Sequence, residues 1–182
     1  AARGAGLVYL RNPNNPTATV HSKSDVEAFV DKLNRVSPET TVLVDEAYFE
    51  YVDNPKYGTV IPLAVASPRV VVLRTFSKVF GMAGLRAGYA VGRPEVVAKM
   101  KAWTLGSNIS QLTLVAAVAA LGDSAHIVGE ARRNRDVRAF TMKFFADAGL
   151  KASAGDANFV MVDVKRSAAE FKSACLKKGV AV

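Results

Sequence analysis

Val70-Val71-Val72-Leu73-Arg74-Thr75-Phe76-Ser77-Lys78 is the stretch that decides the fold. Its first four residues are apolar and mostly β-branched, and polar and charged residues follow at once. An apolar run that short and that branched reads as a buried β-strand rather than a helix. The pattern recurs on either side. Thr41-Val42-Leu43-Val44 ends abruptly in Asp45-Glu46. Leu7-Val8-Tyr9-Leu10 is closed by the turn-rich Asn12-Pro13-Asn14-Asn15-Pro16. Gly88-Tyr89-Ala90-Val91-Gly92 reads as another short strand. Between the first two strands, Val26, Phe29, Val30 and Leu33 recur at helical spacing, with Ser24 as the expected N-cap and Glu27 completing a capping box. Near-continuous apolar strands separated by helices predict an α/β fold, a mostly parallel sheet flanked by helices on both faces. In such sheets ligands sit beyond the carboxyl ends of the strands. Asn15, Asp45 and Lys78 each follow a strand, so the polar clusters fall at that edge.

The second half reads as helical. Helices are expected over Pro94–Trp103, Ser110–Leu121 and Ser124–Ala148, with Gly149 as a C-terminal stop. Asn158–Val164 reads as a strand and Ala168–Lys178 as a last helix ending at Gly179. The uninterrupted apolar run Leu112–Leu121 is too short to span a bilayer and reads as a buried helix. A domain change is expected inside the long helix. This gives a larger domain over residues 1–130 and part of a smaller α+β domain over residues 131–182.

Composition narrows the function classes. Half of the 182 residues are hydrophobic and 22% are charged, as in globular domains. The formal charge of +8 permits nucleic-acid binding or an anionic ligand. The basic residues are scattered, however, and the one cluster, Arg132, Arg133 and Arg135, sits among other charges on a helix and reads as a solvated face. Neither a nucleic-acid nor a membrane partner is expected. Cys175 is the only cysteine, which excludes an internal disulfide, fits a reducing cytoplasmic compartment and reads as a buried inert thiol. His21 and His126 stand apart from any cluster of metal ligands, so no metal site is expected. Trp103 reads as core, and Asn108 as a residue facing a partner subunit. The chain opens on Ala1-Ala2-Arg3 and closes on Gly179-Val180-Ala181-Val182, and both ends are expected to be cut points in a longer protein.

The residues at the strand ends match the needs of a pyridoxal-phosphate (PLP) site. Such a site requires a lysine to hold the aldehyde, a carboxylate to keep the pyridine nitrogen protonated, and donors for the phosphate and ring oxygen. Lys78, just past a buried strand, would be poorly solvated, which favours the neutral amine. Ser77, Thr75 and the forked guanidinium of Arg86 suit a phosphate. Asp45, at the end of a buried strand, needs a charged or hydrogen-bonding partner. Asn15 and Tyr48 could both reach the ring oxygen. Taken singly these residues favour plainer readings: Asp45-Glu46 as a solvated strand end, Lys78 as a surface lysine.

Four linked motifs, in order, carry a resemblance. Asn12-Pro13-Asn14-Asn15-Pro16-Thr17, Asp45-Glu46-Ala47-Tyr48, Thr75-Phe76-Ser77-Lys78 and Gly84-Leu85-Arg86-Ala87-Gly88-Tyr89 together resemble the fold-type I, class I/II PLP-dependent aminotransferases. Within these, the chain looks most like the histidinol-phosphate aminotransferase branch. The resemblance implies that Lys78 is the Schiff-base lysine and catalytic residue and that Asp45 partners the pyridinium. It also implies that Asn15 and Tyr48 bind the ring O3′ and that Thr75, Ser77 and Arg86 bind the phosphate. An amino donor and a 2-oxo acid are the implied substrates, and a homodimer the implied assembly. A decarboxylase or lyase on the same scaffold, such as a threonine-phosphate decarboxylase, is the alternative, and a non-catalytic remnant is a third. Asn158 recurs in this branch near the substrate side. The family usually has Gly where this chain has Ala18, and a positive φ there would strain an alanine by roughly 1 kcal/mol. The family's glycine-rich phosphate loop, stacking aromatic ring and carboxylate-gripping arginine have no counterpart here, so the isolated chain is expected to bind PLP weakly and not to turn over.

Overall fold

The computed structural model describes residues 4–104, 109–153 and 155–182. Its centre is a four-stranded sheet of β1 (Leu7–Arg11), β2 (Thr41–Asp45), β3 (Val70–Thr75) and β4 (Gly88–Val91), in that spatial order. The first three strands run parallel and β4 is antiparallel to β3. The α/β class and the mostly parallel sheet are as the sequence predicts. The parallel register sets Leu10 beside Val44 and Val44 beside Val72, so one face is a continuous valine surface. Helices α1 (Lys23–Val36) and α2 (Ile61–Ala66) cover that face, burying Val26, Val30, Leu33 and Ala64 against Val42, Val44, Val70 and Val72. Each such side chain contributes on the order of 1.5–3 kcal/mol as an upper figure.

Coverage of the second face is partial, with Val71 buried there at 2% exposure. On that same face Leu7 and Tyr9 remain more than half exposed, and the pocket described below opens there. The α1 cap also differs from expectation. Ser22, not Ser24, caps the helix and forms the reciprocal capping box with Asp25. Ser22-x-x-Asp25 and Ser24-x-x-Glu27 both satisfy the cap pattern, and the chain enters the helix at the earlier one.

The second half contains α3 (Pro94–Lys101), α4 (Gln111–Gly122), α5 (Ser124–Asp147), the two-stranded antiparallel pair β5 (Lys151–Ala152) and β6 (Val162–Asp163), and α6 (Ala168–Leu176). Gly149, at φ 71°, ends α5 as expected. The strand expected over Asn158–Val164 pairs only at Val162–Asp163. Three expectations of burial fail. Within α4 only Thr113 and Ala117 are buried, while Leu112 and Val118 are 79% and 73% exposed. A helix apolar around its whole circumference presents only one stripe to the fold it packs on. Trp103 is 90% exposed, because it follows α3, which buries no residue of its own. Cys175 is half-buried rather than buried. Arg132, Arg133 and Arg135 lie on the exposed face of α5, as read. Asn108 lies outside the described residues. Among the described residues no single helix is long and apolar enough to cross a membrane.

The N-terminal and C-terminal parts meet at Ala18. This residue is buried, adopts φ 58°, and its carbonyl accepts a hydrogen bond from the Asp156 N–H at 2.9 Å. Gly155 packs so closely that a Cβ there would lie 2.1 Å from the Ala18 oxygen. The backbone must therefore move to admit any side chain at 155, whereas Gly129 in α5 has no neighbour within 4 Å of a Cβ built there. In urea denaturation, Gly155→Ala is expected to destabilise by about 1–3 kcal/mol, and Gly129→Ala to stabilise by about 0.5–1 kcal/mol.

Candidate active site

The pocket forms where three parallel strands end. Alternation puts Tyr9 and Arg11 of β1, Asp45 of β2, and Leu73 and Thr75 of β3 on the open face of the sheet. The register sets Arg11 beside Asp45 and Asp45 beside Leu73. Asp45 is thereby central at the edge. Its Oδ1 accepts the Ala47 N–H at 3.0 Å and its Oδ2 accepts the Tyr9 hydroxyl.

The loop after β1 is held by its own polar groups. Asn12 is buried and exchanges two hydrogen bonds with the His21 backbone, at 2.8 and 3.1 Å, while its N–H donates to the Asp45 carbonyl at 2.9 Å. Ala18 N–H returns to the Asn14 carbonyl at 2.8 Å. These contacts present Asn15, whose Nδ2 donates to the Tyr48 hydroxyl at 3.2 Å. Tyr48 is buried and fixed edge-on against Phe159, with ring centres 5.2 Å apart. Lys78 Nζ lies 5.1 Å from the centre of the Tyr48 ring. After β3, Thr75 Oγ1 accepts the Ser77 N–H at 3.0 Å, which shapes the turn leading to Lys78. His126 Nε2 lies 3.1 Å from the carbonyl oxygen of the next residue, Val79. Arg86 sits in a left-handed conformation (φ 54°), exposed, with Nη1 donating to the Ala83 carbonyl at 2.8 Å.

All seven residues singled out in the sequence, Asn15, Asp45, Tyr48, Thr75, Ser77, Lys78 and Arg86, line one open pocket of about 410 Å³. Tyr9, Arg11, Ala47, Leu73 and Arg74 complete it, and the sequence reading did not single these out as site residues. The signal for Tyr9 and Arg11 was their spacing of two along β1, which puts both on the face of Asp45 once the register is known. Asn158 does not reach this pocket and borders a separate depression of about 90 Å³ with Asn134 and Phe159. A larger cavity of about 590 Å³ lies between α5 and α6, but its walls, including Phe145, Val160, Val162 and Phe171, carry few groups able to do chemistry. Among the described residues no cluster of potential metal ligands occurs.

Glu46 is not a solvated strand end. It is 2% exposed and faces the covered side of the sheet, where Oε1 accepts the Val60 N–H and Oε2 the Thr59 hydroxyl, both at 2.8 Å. Arg74 Nε and Nη2 reach Glu46 Oε2 at 2.9 and 2.7 Å, and Nη1 reaches Glu50 at 3.1 Å. The Arg74 guanidinium also lies over the Phe49 ring, 3.8 Å from its centre. Burial pushes the Glu50 carboxyl up from its ordinary range despite Arg74, and burial likewise raises the nearby Tyr57 hydroxyl. Burial also raises the Tyr9 hydroxyl, to about 12, with the bond to Asp45 adding to the shift.

The arrangement is chemically specific. A primary amine, a carboxylate, a phenol–amide pair and a guanidinium with two hydroxyls converge on one opening. That donor set fits PLP: Asp45 for a protonated ring nitrogen, Asn15 and Tyr48 for a ring oxygen, Arg86, Ser77 and Thr75 for a phosphate, and Lys78 for an aldehyde.

The sequence and the fold match a known class of protein. The family model for aminotransferase class I and II matches residues 1–182, and the chain belongs to that family. It is 42% identical over its full length to the histidinol-phosphate aminotransferase of Symbiobacterium thermophilum, covering 49% of that protein. It is 38% identical over 177 residues to that of Moorella thermoacetica, covering 97% of this chain and 45% of the relative. The crystal structure of histidinol-phosphate aminotransferase from Sinorhizobium meliloti in complex with pyridoxal-5′-phosphate superposes with a TM-score of 0.89 at 28% identity, covering 98% of this chain and 48% of that one. The chain thus spans about half the length of the curated relatives it matches.

Removing the Glu46 carboxylate leaves Arg74 buried with only Glu50 opposite it. Glu46→Ala is expected to cost about 3–5 kcal/mol in denaturant unfolding. Glu46→Gln, which keeps the side-chain volume and one oxygen acceptor for the Val60 N–H, is expected to cost less.

Proposed function

We propose that this chain is the PLP-binding and catalytic portion of an aminotransferase that moves an amino group from a histidinol-phosphate-like amino donor to a 2-oxo acid. The observation that carries the reading is the convergence of Lys78, Asp45, Asn15, Tyr48 and Arg86 on one pocket at the carboxyl ends of parallel strands. PLP, when bound, supplies an aldehyde for the amine and a ring that takes up the electron pair left at the substrate Cα.

The rest falls to the protein. Asp45, with two acceptor positions still unused, holds the proton on the ring nitrogen. Asn15 and Tyr48, already hydrogen-bonded to each other, fix the ring oxygen, and Phe159 keeps the Tyr48 ring from turning. Arg86, Ser77 and Thr75 hold the phosphate. Lys78 Nζ would hold the cofactor aldehyde and, as a free amine, would carry the proton taken from the substrate Cα. A homodimer is part of the proposal, supported by the exposed apolar side chains Leu112, Val115 and Val118 of α4. So is a cytoplasmic location, supported by the single unpaired Cys175. The division into residues 1–130 and 131–182 is retained as a proposal in which α5 spans the boundary. Because the chain spans about half of its relatives, these residues alone are proposed to bind PLP weakly and not to turn over.

In the active protein, Lys78→Ala is expected to remove the borohydride-reducible visible band formed with PLP and to lower turnover by ~10³-fold or more. Pyridoxamine phosphate formed stoichiometrically from an amino donor supports transamination. Release of CO₂ without it indicates the decarboxylase alternative, and a retained reducible band in Lys78→Ala contradicts the assignment of the lysine.

A further inference from the structure

Tyr9 lies in the pocket wall on the edge of the sheet next to Asp45, and no role in the PLP reading absorbs it. Its ring is on the open face, two residues before Arg11, and 53% of its surface is exposed. Its hydroxyl nevertheless does not point to water: it donates to Asp45 Oδ2. An exposed phenol gains little by giving up water for an ordinary neutral acceptor. A carboxylate is a stronger acceptor, and charge-assisted bonds of this kind are roughly twice as strong as neutral ones.

We propose that Tyr9 is a positioning residue that acts through Asp45, setting how firmly that carboxylate holds a proton on the nitrogen of a bound PLP ring. The inference rests on the PLP reading above. Asp45 has one donor on each oxygen, Ala47 N–H on Oδ1 and Tyr9 on Oδ2. A carboxylate has about four acceptor positions, so room remains for a third donor from the pocket. The two existing bonds fix the plane of the carboxyl group before a ligand arrives. They also withdraw charge from it. A carboxylate relieved of charge in this way is a weaker base, so a shared proton stays on the ring nitrogen rather than passing to Asp45.

The phenol itself stays protonated across the neutral and mildly basic range, since burial and the bond to Asp45 push its ionisation up to about 12. The other charged and titratable side chains lining this pocket are Arg11, Tyr48, Arg74, Lys78 and Arg86, of which Arg74 is paired with Glu46 and Glu50. Among the described residues Tyr9 is the side chain that donates to the Asp45 carboxylate, while Tyr48 engages Asn15.

The test is Tyr9→Phe, which keeps the ring and removes the donor, in the PLP-loaded protein. The readout is the pH midpoint of its visible absorbance. With Tyr9 absent, Asp45 becomes more basic, the ring nitrogen becomes less cationic, and the imine nitrogen at Lys78 holds its proton to higher pH. The midpoint is expected to rise by roughly 0.5–1 pH units, a fraction of what one hydrogen bond to a charged group commands. A fluorinated tyrosine at position 9, a stronger donor, should move it the other way. Weaker PLP binding with an unchanged midpoint would mean that Tyr9 only packs, and would overturn the proposal. Asp45→Asn is the control, because it must shift the midpoint if Asp45 faces the ring nitrogen. If Tyr9→Phe and Asp45→Asn both leave the midpoint in place, the placement of Asp45 fails along with the role of Tyr9. If the active protein without substitutions gives no visible band with PLP, the PLP reading itself fails and takes this inference with it.

Discussion

Glu46 is an ionisable group placed where water does not reach it, and the ends of two strands are arranged to meet its demands. An isolated buried carboxylate costs several kcal/mol, and here four donor groups offset that: Val60 N–H, Thr59 Oγ1, and Nε and Nη2 of Arg74. Glu46 directly follows Asp45, and Arg74 directly precedes Thr75. Successive side chains on a strand point to opposite faces. The ion pair on the covered face therefore fixes, through one peptide unit on each strand, the two pocket residues on the open face. A slip of β2 by one residue would bury Asp45 and expel Glu46, and a slip of β3 would carry Arg74 to the open face, so the charges on the two faces specify one register.

Much of this was legible in the sequence because buried parallel strands leave little choice. Three short apolar runs end in polar residues, and a parallel sheet gathers those ends on one edge. Asn15, Asp45, Tyr48, Thr75, Ser77, Lys78 and Arg86 were found that way, with the order of the four motifs adding specificity. The pocket residues that escaped depend on register. Tyr9 reads as one more apolar residue in Leu7-Val8-Tyr9-Leu10 until Asp45 is known to lie across from Arg11. Glu46 escaped for a related reason: its partners, Thr59, Val60 and Arg74, are 13, 14 and 28 residues away. The misjudged burial of α4 and Trp103 shows the limit of hydropathy without direction, since an apolar helix with no polar face does not state which side it buries.

Ala18 joins the two parts of the chain at the pocket. The left-handed backbone there (φ 58°) strains an alanine by roughly 1 kcal/mol. The conformation is retained because the turn from Asn14 to Ala18 and the contact with Asp156 both require it. Around that contact Arg138 spans Asp156 at 2.9 Å, the Ala157 carbonyl at 3.2 Å and Asp53 at 3.7 Å. Two residues further on, Phe159 packs against Tyr48. The segment after α5 thus bears directly on a residue of the pocket, although none of its own side chains lines it. Burial raises the Asp156 carboxyl above its ordinary range even with Arg138 beside it.

The strand ends select one lysine out of all those in the chain. Borohydride reduction of the protein with bound PLP, followed by trypsin digestion and mass spectrometry, tests it directly. A reduced, PLP-modified Lys78 resists trypsin, so the account predicts a single labelled peptide running from Thr75 to Arg86. Label distributed over exposed lysines such as Lys56 and Lys99, with Thr75–Lys78 recovered unmodified, would contradict it.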